Sequence, residues 1–408
     1  MPKISNISCH KIVNSRGDWT VMTKVTLDDG SVGVQSVPEG ASKGKKEAVD
    51  ILPEKSVDLV SNVINAALLG KDPFNQGNID KTLVEIDGTE NKRHLGANSI
   101  LSVSLAVSKA AAASKGTPLY KYLREIFDPG NNEYTIPTPA FNILNGGKHA
   151  NNKLSFQEFM VMPAKKVPFD KAYEMGVNIY HDLEKNLAKA GMDIDVGDEG
   201  GFAPNGLTPK LALEFIKECA AERSKPGGNV FFGIDVAADS FKEILNYFIE
   251  EEGLHLNSEG LADYYRDLLK DFPLIYLEDP FQEEDFAAWK KFYNEFSETL
   301  MIVGDDLTVT NPSVLEQIIP MKLINAVIAK PNQIGTLTET FEFIKIAKDN
   351  NLQVIVSHRS GDTAEDTFIA DLAVAVGAEF MKSGAPARGE RVAKYNRLLE
   401  IFLELSSN

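Results

Sequence analysis

Val230-Phe-Phe-Gly-Ile-Asp235 is the first of five short apolar runs that each end on a charged residue. Apolar runs of this length, bounded by polar or turn residues, are typical of strands buried on both faces, as in a parallel sheet. The terminal charges lie 43, 27, 25 and 28 positions apart. Each interval has room for a loop, a helix and the next strand, so the pattern predicts successive βα units. The other four runs occupy 274–278, 300–305, 326–330 and 354–358.

The terminal side chains of these runs are expected to meet at one mouth, because chemistry in such folds collects at the carboxyl ends of the strands. Taken singly, each charge marks only the point where a strand meets solvent. Three carboxylates at one mouth, Asp235, Glu278 and Asp305, repel one another unless a cation neutralises them. Oxygen ligands without cysteine favour Mg²⁺ over zinc. We therefore predict a magnesium site with Lys330 and His358 beside it.

Length and charge limit the classes of function. A chain of 408 residues is expected to hold two domains, and its net charge of −17 argues against nucleic-acid or anionic-membrane partners. Two widely separated cysteines, Cys9 and Cys219, make a disulfide scaffold implausible. The sequence has neither a signal-peptide pattern nor an apolar stretch of membrane-spanning length, so we expect a cytoplasmic protein.

The first ~130 residues predict a small α+β domain. Strand-like runs at 3–13, 20–27 and 31–37 are followed by helical periodicity at 57–69 and 97–114. A basic, glycine-rich loop at 38–46 is expected to be mobile, but its glycine spacing is not that of a P-loop. The segment 128–132 reads as a linker, after which the βα rhythm begins.

Several polar groups stand at positions suited to chemistry. Glu158 lies inside an apolar run, so it has to be paired or have a raised pKa. The glycines of 197–201 are expected to let the backbone approach a ligand rather than serve packing. Burial could lower the pKa of Lys330 and make it a base. Residues 357–361 and Lys382 add cations for a small di- or trianionic substrate. A metal, a lysine base and a carboxylic acid together suit proton abstraction beside a carboxylate.

Motifs over nearly the whole chain carry a family resemblance. The motifs are Ser15-Arg-Gly17, Gly40-Ala-Ser42, Asp87-Gly-Thr-Glu-Asn91, Gly96-Ala-Asn98, Asn145-Gly-Gly147 with His149, Gln157-Glu-Phe-Met160, Gly197-Asp-Glu-Gly-Gly201, Glu278-Asp-Pro280, Gly304-Asp-Asp-Leu307, Asn332-Gln-Ile-Gly335, Ser357-His-Arg-Ser-Gly361 and Arg388 to Lys394. Together they resemble the enolases, the phosphopyruvate hydratases. The resemblance implies an α/β fold in which an α+β capping domain (1–130) precedes a TIM-like barrel (136–408) of order ββαα(βα)₆.

The resemblance also implies an activity, the reversible Mg²⁺-dependent dehydration of 2-phosphoglycerate to phosphoenolpyruvate in glycolysis and gluconeogenesis. Lys330 would abstract the C2 proton, and Glu199, assisted by Glu158, would protonate the departing C3 hydroxyl. One Mg²⁺ would be bound by Asp235, Glu278 and Asp305, and a second by Ser42 together with the substrate phosphate. The residues expected to contact substrate are His149, Gln157, Glu158, His358, Arg359, Ser360 and Lys382, of which Arg359 and Ser360 would hold phosphate and Lys382 the carboxylate.

The capping domain departs from the family pattern at Asp18-Trp19, at Lys43 and in a shortened stretch at 48–65. Two other classes of function stay open on sequence grounds: another carboxylate lyase or racemase of the enolase superfamily, and a non-catalytic surface-binding scaffold. The racemases and ammonia lyases carry a Lys-x-Lys pattern that Val161-Met-Pro-Ala-Lys165 lacks. A homodimer and an octamer are both compatible with the resemblance.

Overall fold

The computed structural model describes residues 1–40, 44–223, 229–244 and 246–407. The predicted metal ligand Ser42 and its neighbour Lys43 lie outside these residues. The chain begins with a three-stranded antiparallel sheet in the order β1-β2-β3, as the alternating pattern predicted. The strands are β1 (Ile4–Val13), β2 (Trp19–Leu27) and β3 (Val32–Ser36).

Five α-helices lie between this sheet and the next strand in the described part of the chain. The predicted helix at 57–69 starts earlier than expected and contains a π-helical turn, Val60–Ile64, between α1 and α2. The alanine-rich α4 packs so closely on the sheet that a Cβ on Gly33 would lie 2.0 Å from the Ala106 carbonyl oxygen. The helices are α1 (Pro53–Leu59), α2 (Asn65–Leu68), α3 (Gln76–Asp87), α4 (Ala97–Lys115) and α5 (Leu119–Phe127).

The remaining described residues contain ten strands, eight of which close into a barrel. The other two, β7 and β8, form a small antiparallel hairpin. The strands are β4 (Thr138–Asn145), β5 (Glu158–Pro163), β6 (Val230–Asp235), β7 (Tyr247–Ile249), β8 (Leu254–Leu256), β9 (Leu274–Glu278), β10 (Met301–Gly304), β11 (Ala326–Ala329), β12 (Gln353–Ser357) and β13 (Phe380–Lys382).

Helices cover the outside of the barrel, and the strand connections give it an unusual start. Two strands, β4 and β5, come first, then two helices, and only then the regular strand–helix alternation. The helices are α6 (Phe169–Lys189), α7 (Pro209–Arg223), α8 (Ser258–Asp271), α9 (Phe286–Phe296), α10 (Pro312–Ile318), α11 (Pro331–Ile334), α12 (Leu337–Asp349), α13 (Phe368–Val376) and α14 (Gly389–Ser406).

The barrel has the order β10-β11-β12-β13-β4-β5-β6-β9, in which β5 alone runs antiparallel to both neighbours. This is the predicted ββαα(βα)₆ arrangement, and the predicted fold class is confirmed. Two of the five apolar runs coincide with β6 and β9, and the other three match β10, β11 and β12 to within one residue at each end. The barrel interior is filled by apolar side chains, among them Met160, Tyr276 and Ile328.

The sheet-bearing first part of the chain contacts the barrel near its mouth. Glu39 and Gly361 exchange two backbone hydrogen bonds of 2.9 and 2.8 Å. The Lys92 ammonium lies 2.9 Å from the Glu339 carboxylate, and Asp80 accepts from the backbone amide of Thr338. None of the helices among the described residues is long and apolar enough to cross a lipid bilayer.

Candidate active site

Strand register brings the charged ends of the strands to one level at the barrel mouth. Asp235 lies opposite Glu278 across β6 and β9, and Ser357 lies opposite Lys382 across β12 and β13. Because β5 runs antiparallel, its first residue, Glu158, lies opposite Asp235 at this same level. The mouth is therefore built from the carboxyl ends of seven strands and the amino end of one.

The sequence-predicted site residues come together in a single cleft at this mouth. Glu278 is the exception among the described ones, because it lies fully buried beneath the cleft. His149, which taken alone could be a solvated loop histidine, is buried. The predicted residues that line the cleft are His149, Gln157, Glu158, Glu199, Asp235, Asp305, Lys330, His358, Arg359, Ser360 and Lys382.

Lys382 lies among three buried carboxylates. Its Nζ is 2.8 Å from Glu278 Oε2, 3.1 Å from Asp235 Oδ2 and 3.2 Å from Glu158 Oε2. Glu278 also accepts from the Tyr276 hydroxyl, whereas its other oxygen, Oε1, is buried without a hydrogen-bond partner. Burial and the neighbouring charge of Asp235 raise the pKa of Glu278 to about 7. A single lysine thus faces three carboxyl groups in this corner of the site.

Lys330 pairs directly with Asp305 through its ammonium group. Burial alone would lower the pKa of Lys330, but the Asp305 carboxylate raises it above the usual value for lysine. The sequence-based expectation of a lowered pKa is therefore wrong for this state, because an opposite charge in contact outweighs desolvation. Asp305 is held in turn by Gln333, whose amide donates to Oδ1 at 2.8 Å.

The carboxylates fit a hard divalent cation by their chemistry. Within the described residues, two groups bring their ligand atoms within 4.8 Å of one another, and the predicted trio is neither of them. The reason is that Lys382 lies between Asp235 and Glu278 while Lys330 holds Asp305. An orphaned buried acceptor on Glu278 and an all-oxygen donor set nevertheless fit Mg²⁺. The two groups are His149 with Glu158 and Glu199, and Asp279 with Asp305 and Asp306.

Glu158 and Glu199 form a buried carboxyl pair with His149 between them. His149 Nδ1 lies 3.5 Å from Glu158 Oε1 and 3.5 Å from Glu199 Oε1. Burial and the charge of Glu199 raise the pKa of Glu158 well above its ordinary value. Burial also opposes ionisation of Glu199, but His149 and His358 lower its pKa well below the usual range. Of the two carboxyl groups, Glu158 is therefore the one that retains a proton more readily.

His358 and Asn142 approach Glu199 from the side away from His149. His358 Nε2 lies 3.3 Å from Glu199 Oε2, and the Asn142 amide donates to the same oxygen at 3.1 Å. Burial lowers the pKa of His358 to about 3, so the ring is neutral at pH 7. His358 therefore stabilises the Glu199 carboxylate as a polar neighbour and not as a cation.

The glycine-rich turn that carries Glu199 corrects one expectation. A Cβ on Gly197 would lie 2.4 Å from the His149 carbonyl oxygen, and one on Gly201 would lie 2.6 Å from Asn145 Oδ1. Gly200 has a φ of +85°, which side chains rarely adopt. These glycines thus allow the turn to pack against the protein's own backbone and side chains, whereas the sequence predicted close approach to a ligand.

Arg359 forms an ion pair with a carboxylate from the first part of the chain. Its Nη1 and Nη2 lie 3.0 and 3.3 Å from the two carboxylate oxygens of Glu47, and both side chains are buried. Glu47 also accepts from the Gly44 backbone amide at 2.9 Å. Ser360 next to Arg359 accepts from the Arg16 guanidinium at 3.3 Å. Residues of both parts of the chain thus build the cationic side of the cleft.

Family comparisons agree with this architecture. The family described as "Enolase, N-terminal domain" matches residues 4–123, and that described as "Enolase, C-terminal TIM barrel domain" matches residues 133–408. The chain belongs to the enolase family. Membership in this family supports an enolase-superfamily, lyase-type enzyme, and members of the family typically use Mg²⁺.

Three side chains in or next to this enolase-family cleft were not singled out from the sequence. Asn142 is a lone amide in the otherwise apolar stretch 140–144, and that pattern could have marked it. Gln333 follows Lys330 by three residues at the start of α11, and Arg391 lies on α14 behind His358. The last two lie in family motifs, but the motifs alone do not reveal which partner each one contacts.

Proposed function

We propose that this protein catalyses the reversible, Mg²⁺-dependent dehydration of 2-phosphoglycerate to phosphoenolpyruvate. One observation carries the proposal: Lys330 directly follows β11 and Glu158 begins β5, and these two strands lie on opposite sides of the barrel. Between β11 and β5 lie three strands in either direction around the closed sheet. A base and an acid so arranged suit the removal of a proton from one face of a substrate and of hydroxide from the other.

Lys330 is proposed as the base at C2, and the Glu158–Glu199 pair as the acid at the C3 hydroxyl. The pair is suited to this role because its two buried carboxyl groups lie close together and their pKa values are shifted in opposite directions, upward for Glu158 and downward for Glu199. Lys330 has to share Asp305 with another cation before it can lose its own proton, since the ion pair stabilises the ammonium form.

Arg359, Ser360 and Lys382 are proposed to bind the phosphate and carboxylate of the substrate, with His149, Gln157 and His358 lining the remaining wall. A guanidinium suits phosphate because its donors match two oxygens at once. Asp235, Glu278 and Asp305 would hold one Mg²⁺, and Ser42 with the substrate phosphate a second. The metal, when bound, supplies Lewis-acid stabilisation of negative charge on the substrate carboxylate.

The proposal also covers the cellular location, the oligomeric state and the binding partners. We propose a cytoplasmic homo-oligomer, a dimer or an octamer, that acts on a small anionic substrate and binds neither nucleic acid nor membrane. The net charge of −17 supports the last point, because both kinds of polyanionic surface would repel the chain.

The test is the growth of phosphoenolpyruvate absorbance from 2-phosphoglycerate, measured with Mg²⁺ and with a chelator. We expect product only with Mg²⁺, and none from Lys330→Ala. The control variant Lys166→Ala changes an exposed lysine at the opposite end of the barrel and should retain full activity. Absence of product from the Mg²⁺-loaded protein would contradict the proposal. Proton exchange beside other carboxylates would then favour a racemase, and inertness toward all of them a binding scaffold.

A further inference from the structure

Arg391 is a fully buried arginine behind the cleft. It lies in the first turn of α14, and its Nη1 is 2.6 Å from His358 Nδ1. The other hydrogen bonds of the guanidinium go to backbone carbonyls: Arg359 O at 2.9 Å from Nη1, and Ser360 O and Asp198 O at 2.5 and 3.2 Å from Nη2. Two carboxylates lie further away, Asp362 at 3.6 Å from Nη1 and Glu390 at 3.6 Å from Nε. The guanidinium is therefore held in place by partners that are all hydrogen-bond acceptors.

The Arg391–His358 contact allows only one position for the proton on the neutral imidazole ring. A guanidinium only donates hydrogen bonds and does not lose its proton in proteins. His358 Nδ1 must then be the acceptor, so it carries no proton. The neutral imidazole has one N–H, and that proton lies on Nε2. An acceptor contact at 2.6 Å thus determines the tautomer of a residue in the cleft.

The Nε2–H group of this tautomer faces the cleft. His358 lines the cleft, is buried, and brings Nε2 to 3.3 Å from Glu199 Oε2. In the described part of the protein, Nε2 has no hydrogen bond of good geometry. The opposite tautomer would aim a lone pair at the Glu199 carboxylate, which is repulsive. The donor is therefore compatible with Glu199 and remains available to an oxygen acceptor in the cleft.

We propose that Arg391 is a positioning residue that fixes His358 as the Nε2–H tautomer, so that the ring presents a hydrogen-bond donor to Glu199 and to a substrate oxygen. The substrate part rests on the proposed function, whereas the tautomer part does not. Arg391 acts only through His358. It is separated from the cleft by the ring that it orients.

The direct test is a nitrogen-15 NMR spectrum of protein labelled at its histidine rings, recorded at neutral pH without substrate. Six histidines contribute, and the His358→Gln variant identifies the signals of interest by their loss. We expect the His358 signals of a neutral ring protonated at Nε2. A ring protonated at Nδ1, or at both nitrogens, overturns the proposal. Because this experiment involves no turnover, it stands or falls independently of the dehydratase assay.

A variant tests whether Arg391 is the cause. In Arg391→Met we expect the Nε2–H preference to give way to a mixture of tautomers, and the dehydratase kcat to fall by roughly tenfold or more, as for other groups that orient reacting side chains. Arg397→Met, an ion-paired arginine on the same helix that contacts Asp371, should change neither readout. Retention of a pure Nε2–H ring in Arg391→Met would overturn the role of Arg391. If this variant does not fold, the wild-type spectrum still decides the tautomer.

Discussion

At the scale of single residues, the two sides of the cleft hold protons in different ways. Burial and the charge of Glu199 raise the pKa of Glu158, so this carboxyl group retains a proton more readily than Glu199. The pairing with Asp305 raises the pKa of Lys330 and so stabilises its ammonium form. The proposed acid side thus already has a carboxyl group suited to hold a proton, whereas the proposed base side needs a change at Asp305 before it can accept one.

The first prediction separates these two roles. Lys330→Ala removes the proposed base, so both C2 proton exchange with solvent and phosphoenolpyruvate formation should vanish. Glu199→Gln spares the base, so exchange should survive while product formation falls by roughly 10²–10⁴-fold, the usual contribution of a general acid. The measurement is NMR of 2-phosphoglycerate in D₂O. Exchange lost in Glu199→Gln yet kept in Lys330→Ala would reverse the assignment.

The second prediction concerns the metal carboxylates. Asp305→Ala removes one proposed oxygen ligand of Mg²⁺ and also frees Lys330 from its partner. We expect the Mg²⁺ concentration for half-maximal activity to rise by at least about tenfold, with partial recovery at high Mg²⁺. Calorimetric titration of Mg²⁺ into the substrate-free variant provides a second readout. Unchanged affinity in that titration would remove Asp305 from the ligand set.

The sequence predicted which residues meet in the cleft more successfully than it predicted their electrostatic state. Charged residues that end buried strands must share one mouth, so Asp235, Asp305 and Lys330 could be assigned to it from spacing alone. The contacts of Arg391 and Gln333 could not, because they depend on how α14 and α11 pack behind that mouth. The raised pKa of Lys330 could not either, since it depends on a contact with Asp305.

At the scale of elements, side chains that accept hydrogen bonds from backbone amides stabilise short connections between helices. Asp87 ends α3 and accepts from the backbone amides of Leu95, His94 and Thr89 at 2.6, 3.0 and 3.0 Å. Burial opposes ionisation of Asp87, but Thr89 and the amides lower its pKa below the ordinary value. A carboxylate with a lowered pKa stabilises the fold fully above its unfolded-state pKa, and that contribution is lost as pH falls through the folded-state value.

Asp87→Asn should therefore destabilise the protein in a pH-dependent way. We expect a loss of about 1–3 kcal/mol in the free energy of unfolding at neutral pH, because charged acceptors of backbone amides contribute on that scale. The difference from wild type should shrink below about pH 4, where the carboxyl is protonated in the unfolded chain. Urea unfolding at a series of pH values measures this difference in the free energy of unfolding. Asp58→Asn, at an exposed position, is the control. A penalty that does not change with pH would contradict this account.

The contact between Glu47 and Arg359 gives a fourth prediction. Glu47→Gln keeps the shape of the side chain but removes the charge that faces the buried guanidinium. We expect a loss of about 1.5–3 kcal/mol in the free energy of unfolding, the range for hydrogen bonds to charged groups. Glu54→Gln is the matched control, since the Lys11–Glu54 pair is exposed and screened by solvent and should contribute much less. Equal effects of the two variants in urea unfolding would contradict the prediction.

At the scale of the whole molecule, buried polar contacts join the first part of the chain to the barrel. Asp80 is buried on α3 and accepts from the amide and hydroxyl of Thr338 at 2.9 and 2.6 Å. Ser104 on α4 accepts from the backbone amide of Leu337 at 3.1 Å. The separate α+β and barrel domains predicted at 1–130 and 136–408 stay a prediction, but these contacts connect the two ranges.

We predict that the two ranges unfold together. Because separation would expose Asp80 and its partners without their hydrogen bonds, wild-type protein should give one calorimetric transition. Asp80→Ala removes an acceptor from Thr338 and should lower the midpoint and broaden or split that transition. Asp58→Ala, at an exposed position, should leave its shape unchanged. Two resolved transitions in the wild type would show that the interface does not couple the ranges.

Closure of the barrel has a consequence for the chain during its synthesis. The sheet closes where β13 pairs with β4, so that Phe380 lies opposite Thr138 although hundreds of residues separate them in sequence. Until the ribosome has made β13, β4 has an unpaired edge and Lys382 is missing from the carboxylates that it neutralises. Unpaired edges invite association with other chains. The nascent barrel therefore keeps two open strand edges, at β12 and β4, until its last strand has been made.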